Sequence, residues 1–173
     1  MPRSFDMATE YGGTVEDVHR AFSDEDYWQI RLDDSGADYA TLDELTVDDA
    51  GGLRIRTTQT LRADRLPGIV SQFHRGDLSL VREEIWTPIS NRRSTARVTG
   101  SIPGAPASLT GDAVLSSVAD SAGAIASRLA FTATVEVRVP LVGGKIENFI
   151  GSQLVELLIA EQRFTTVWIT ENS

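Results

Sequence analysis

Two polar side chains, Gln153 and Glu161, lie within the apolar stripe of the longest helical pattern in the chain. On a projection of roughly 100° per residue, Ile146, Ile150, Leu157, Phe164 and Trp168 fall within about 20° of one line. Leu154 flanks that line, and Gln153 and Glu161 each stand about 40° from its centre. A helix that only plugged a dry core would have little reason to place an amide and a carboxylate there, because a buried polar group must find a partner. Three roles are open to such groups: orienting a ligand that is otherwise apolar, working as a general acid or base, or pairing with an Arg or Tyr. Gln59 belongs with them. It alternates with Leu53, Ile55, Thr57 and Leu61, opposite Arg54, Arg56 and Arg62, so it points where the hydrophobes point. Glu83 and Glu84 face opposite sides of their strand, and the alternation leaves open which is inward. Trp28, Phe73, Trp86, Phe149 and Trp168 are the large aromatics available to a pocket or its mouth.

Other chemistries are disfavoured by residue type. The absence of Cys removes thiolate metal sites, cysteine nucleophiles and disulfides, and the two histidines, His19 and His74, form no triad or metal pair. Gly143-Gly144-Lys145 lacks the frame of a phosphate loop, and Asp33-Asp34-Ser35-Gly36 has too few spaced oxygens for calcium. Both read as turns. No catalytic residue, metal or cofactor is therefore assigned.

The elements that must position the candidates fit one domain over 1–173, with 41% hydrophobic and 24% charged residues. The formal net charge of −9 disfavours nucleic acid as a partner. Charge is uneven: residues 1–50 carry 3 Arg and 14 acids, whereas residues 51–100 carry 9 Arg and 4 acids. Basic strands beside acidic helices are the expected outcome. Neither a signal-peptide core nor an apolar run of ~18 residues occurs, so a cytoplasmic protein without stable membrane insertion is expected.

Residues 3–11 alternate as a half-buried strand, with Phe5, Met7, Thr9 and Tyr11 on one side. Thr14 caps a short helix, and Ser23 or Asp24 caps a second. Strands are expected near 38–47, 53–62, 78–88, 93–102, 109–119 and 125–138, with an apolar flap over 63–77 and a long helix over 145–168. Short gaps between the strands imply antiparallel hairpins. Ser94, Ala96, Val98 and Gly100 on one strand, and Gly111, Ala113 and Leu115 on the next, are small inward sets. So, on the expected light face of the last strand, are Ala126, Ala130, Thr132 and Thr134. They favour a cavity between helix and sheet over a filled interior.

This element order, with Glu84-Ile85-Trp86 and the helix entry Val139-Pro140-Leu141-Val142-Gly143-Gly144-Lys145-Ile146-Glu147, resembles the START-like superfamily of polyketide cyclases, lipid-transfer START domains and birch-pollen-allergen-like proteins. Within it, the two segments resemble an actinobacterial family of uncharacterised function. The resemblance implies an α+β helix-grip fold: a seven-stranded curved antiparallel sheet around a long C-terminal helix, with two short helices after the first strand. It also implies a pocket whose mouth is flanked by the second helix and the flap, and it transfers no catalytic motif.

The ligand pocket is accordingly assigned to Trp28, Gln59, Phe73, Trp86, Ile150, Gln153, Leu157 and Glu161. The expected partner is a hydrophobic or amphipathic small molecule such as a lipid, fatty acyl chain or polyketide. A cyclase or dehydratase using the same pocket, or a ligand-free interaction module, are the alternatives. Val155 and Ile159 project to the back of the long helix, where a weak homodimer contact or a monomer's isolated surface hydrophobes are the two readings.

Overall fold

The computed structural model describes residues 2–72, 74–119, 123 and 125–172. Strand β1 (Arg3–Tyr11) ends at Gly12-Gly13, where the chain turns into α1 (Val15–Phe22). The Thr14 hydroxyl accepts from the Asp17 N–H while the Asp17 carboxylate accepts from the Thr14 N–H, a reciprocal cap that satisfies two helix-end donors. Asp24 caps α2 (Glu25–Asp33) through the Asp26 N–H. Strands β2 (Tyr39–Val47) and β3 (Leu53–Leu61) follow, then a flap with one turn of 3-10 helix (Ala63–Arg65) and the short α3 (Gly68–Ser71). Four more strands, β4 (Leu78–Trp86), β5 (Arg93–Ser101), β6 (Ala107–Ala119) and β7 (Ile125–Val137), lead to α4 (Gly143–Glu171).

All seven strands join one antiparallel sheet in the order β1-β7-β6-β5-β4-β3-β2. Consecutive strands from β2 to β7 pair as hairpins, and β1 closes onto β7 from Arg3↔Val135 to Tyr11↔Ser127. The β4–β5 connection turns on Asn91 and Arg92, both left-handed at φ 54° and 59°, which matches the strand twist in a two-residue hairpin. The long helix, the two short helices and the sheet order are those of the helix-grip fold. The long helix is longer than its periodicity indicates, because Gly143-Gly144 begins it instead of closing the sheet.

One side of the sheet packs on the helices. The main core joins Val15, Val18, Phe22, Tyr27 and Trp28 of the short helices to Leu53, Ile55, Trp86 and Leu115 of the sheet and Ile169 near the end of α4. A smaller cluster of Val135, Val137 and Ile146 holds the start of α4. There Glu147, 1% exposed, accepts the Val137 N–H at 2.9 Å and lies 3.6 Å from the Arg3 guanidinium. Two expectations about side-chain direction change. In β7 the inward face is Leu129, Phe131, Ala133, Val135 and Val137, whereas Ala130 and Thr132 are exposed, because the heavier apolar face gains more by burial. The Arg residues of β3 pair not with acidic helices but across the outer sheet face, Arg54 and Arg56 each with Glu44 of β2 and Glu83 of β4.

Gly151 lets α4 dock on β1, since a Cβ there would overlap the Phe5 ring. Gly151→Ala is expected to lower stability by about 1–2 kcal/mol, an overpacking cost partly offset by helix propensity. Thermal unfolding measures it, and an unchanged Tm would show that the Phe5 ring moves aside freely.

Candidate functional site

Between α4 and the sheet lies a cavity of about 490 Å³, within the usual range for small-molecule sites. Its walls are aliphatic: Leu80, Leu109, Val135 and Val137 from the sheet, Ile150, Leu154 and Leu157 from α4. The outer end is formed by Leu66, Pro67 and Val70 of the flap, Ile102 and Pro106 of the β5–β6 loop, and Phe149 and Gln153 of α4. Toward the C-terminal half of α4 it meets a lobe of about 90 Å³, with which it shares Leu80, Gly100, Leu109, Leu154 and Leu157. A second lobe of about 80 Å³ lies against α2.

The polar groups gather where the two lobes meet, since Arg31, Arg82 and Glu161 line both, and Glu84 adds to the first. Arg82 of β4 forms a bidentate pair with Glu161 of α4, Nη1 to Oε2 at 2.8 Å and Nη2 to Oε1 at 3.0 Å. Arg31 of α2 reaches Oε1 of the same carboxylate at 2.6 Å. The Arg82 Nε lies 3.2 Å from Glu84, whose other oxygen accepts from the Trp86 indole at 3.2 Å. Arg31 also donates to the Tyr27 hydroxyl at 3.0 Å, and its guanidinium lies 4.5 Å from the Trp28 ring centroid. Because Thr165 donates to the Glu161 carbonyl, Tyr27 must donate to Thr165 across their 2.6 Å contact. Two cations and two anions are thus held together, buried or nearly so.

The electrostatics follow from this packing. Burial pushes the Glu161 pKa up, but Arg31 and then Arg82 pull it further down, to about 2. Both arginines are held above their usual range: burial opposes their charge, and Glu161 more than restores it. Tyr11, which also lines the lobe, is raised chiefly by burial and next by Tyr27, so it stays a phenol. Glu161 is therefore a clamped carboxylate. A general acid needs the opposite, a pKa raised toward neutrality.

The candidates divide among these spaces. Ile150, Gln153 and Leu157 line the large cavity, with Gln153 exposed at its rim, and Leu157 borders all three spaces. Glu161 and Trp86 line the first lobe. Trp28 and Gln59 line the second, which Glu161 also lines, and neither is among the residues around the large cavity. Phe73 lies outside the described residues. The inward glutamate of β4 is Glu84, while Glu83 meets Arg54 and Arg56 outside.

Sequence reasoning passed over Arg31, Arg82 and Tyr11. Arg31 does carry a signal, since it follows Tyr27 by one helical turn and sits beside Leu32 on the face that α2 buries. Arg82 shares the period of Leu80, Glu84 and Trp86, and Tyr11 closes the inward set of β1. Gly111, counted among the small residues that open the cavity, is instead covered by Phe131, whose ring a Cβ would overlap.

Comparison with known proteins agrees with this architecture. The chain is 49% identical over 176 residues to an uncharacterized protein of Mycobacterium tuberculosis, covering 99% of each. Among solved structures it is similar to the Zhui aromatase/cyclase of a Streptomyces species, with a TM-score of 0.57 and 9% identity over 98% of this chain and 94% of that one. It is also similar to a START superfamily protein of Mycobacterium smegmatis, with a TM-score of 0.50 and 15% identity over 98% of this chain and 99% of that one. At these identities the structural likeness shows the fold. A family model described as "Protein of unknown function (DUF2505)" matches residues 6–169, and with that match and a near full-length relative the chain belongs to this family, built on the START-like helix-grip fold.

Proposed function

We propose that the protein binds and carries a hydrophobic or amphipathic small molecule in the cavity between α4 and the sheet. The observation that carries this reading is the cavity itself. About 490 Å³ is walled by aliphatic side chains of α4 and the inner sheet and adjoins two lobes that share Arg31, Arg82 and Glu161. A void of that size deprives its lining of packing contacts, and an apolar ligand restores them. The START superfamily and aromatase/cyclase neighbours support the same reading at the level of fold.

The cyclase or dehydratase alternative loses its leading acid–base candidate, because two arginines hold Glu161 ionised. The carrier reading is checked by native mass spectrometry of the purified protein after exposure to mixed lipid extracts. A discrete mass increment that solvent extraction recovers as an apolar compound is the expected result. An unliganded mass after every exposure would sink the reading.

A further inference from the structure

Tyr11, a residue 4% exposed, ends β1 and lines the first lobe with Arg31, Arg82, Glu84 and Glu161. Its hydroxyl makes no hydrogen bond to a described residue, whereas the buried hydroxyl of Tyr27 is bonded to both Arg31 and Thr165. The hydroxyl opens onto the lobe, where it is a donor available to whatever enters, and an acceptor atom placed there would meet it.

The surrounding charges say which acceptor fits. Two guanidinium groups and two carboxylates face the lobe, so their formal charge cancels. Both oxygens of Glu161 and both of Glu84 already accept hydrogen bonds or ion pairs. Each guanidinium carries five N–H donors. Arg82 directs three of its N–H groups at Glu161 and Glu84, and Arg31 directs two at Glu161 and Tyr27, so donor capacity remains on both. The lobe therefore offers donors without net charge. A ligand carboxylate would bring a third anion into a desolvated space and compete with Glu161 and Glu84 for their partners. A carbonyl oxygen needs only the donors.

We infer that the Tyr11 hydroxyl, with N–H groups of Arg82, anchors the carbonyl oxygen of an uncharged amphipathic ligand such as a ketone, ester or amide, whose apolar chain fills the larger cavity. The inference rests on the carrier reading and adds the chemical class of the head group. The shared wall of Leu80, Gly100, Leu109, Leu154 and Leu157 makes head and chain sites neighbours.

The test is displacement of the fluorophore N-phenylnaphthylamine from the full chain by three probes of equal carbon number: methyl nonyl ketone, undecanoate and undecane, at neutral pH. The ketone is expected to displace at roughly ten-fold lower concentration than either of the others, as one or two buried hydrogen bonds allow. In Tyr11→Phe the ketone should weaken about five-fold while undecane is unchanged. Equal displacement by ketone and undecane, or undecanoate matching the ketone, overturns the inference. A ketone preference that survives Tyr11→Phe overturns the role of Tyr11. Should the variant fail to fold, the three-probe comparison on the native protein still decides the head-group class. If the fluorophore does not bind and none of the three probes is taken up by mass spectrometry, the carrier reading falls and this inference with it.

Discussion

Glu161→Ala is expected to lower the free energy of unfolding by about 3–5 kcal/mol, the range for removing one partner of a buried ion pair. The reason is what the carboxylate leaves behind. Arg31 and Arg82 would keep their charges, 2.6–3.0 Å from where Glu161 stood, with only Glu84 to balance them. The helix backbone is also tied in, since Thr165 links the Glu161 carbonyl to Tyr27 and thence to Arg31. Glu161→Gln preserves the shape and should fall between the native protein and the alanine variant.

The pH profile separates charge from packing. The folded-state pKa of Glu161 is near 2 and the ordinary value is 4.5. Because folding depresses it, the stabilisation is fully present above pH 4.5 and is lost as pH falls through 4.5 toward 2. Linkage over that interval amounts to about 3 kcal/mol. Denaturant unfolding across it should show a steep acid limb in the native protein and a flatter one in Glu161→Gln. Identical limbs would mean that the carboxylate contributes no charge-dependent stability. Apolar residues of matching volume could fill such a site at equal or better stability, so stability alone gives no reason for four charges beside a cavity.

Most of the architecture was legible because it rests on periodicity. Alternation over residues 3–11 and 53–61 and the stripe from Ile146 to Trp168 are carried by many residues at once, so single ambiguities cancel. The Thr14 cap was legible because a hydroxyl, an acid three residues on and a following apolar period have one local solution. The polar lobe was not legible in the same way. It is assembled by α2, β4 and α4, whose side chains meet only through tertiary packing, and an Arg or Glu taken singly reads as solvated surface. Glu83 and Glu84 show the limit: β4 carries charge on both faces, and only the opposing Arg54 and Arg56 outside and Arg82 inside separate them. The last strand failed for a different reason. Its light face looked like room for a ligand, but in a one-sided sheet the face with more apolar area turns inward.

Leu157→Trp carries the other large effect, and it decides whether the interior is a binding space. Leu157 is half-buried on α4 and borders the 490 Å³ cavity and both lobes. In a packed core, enlarging a leucine to an indole forces neighbours off their rotamers and destabilises by about 1–3 kcal/mol. Here the added ring has space to enter and apolar walls to contact, so the Tm is expected to stay level or rise. Binding should move the opposite way. The indole occupies the junction between the aliphatic chamber and the lobe of Arg31, Arg82 and Glu161, and uptake of a long-chain probe should fall by more than roughly ten-fold, a loss of at least about 1.4 kcal/mol. Calorimetry paired with fluorophore titration reads both quantities from one preparation. A destabilised variant with unchanged uptake would place the binding elsewhere. Destabilisation by the substitution, together with no probe uptake by the native protein, would describe a filled interior and would shift attention to the outer face of α4, where Val155 and Ile159 are exposed at 43% and 42%. A stable variant that has lost its ligand is the combination that only a cavity between α4 and the sheet produces.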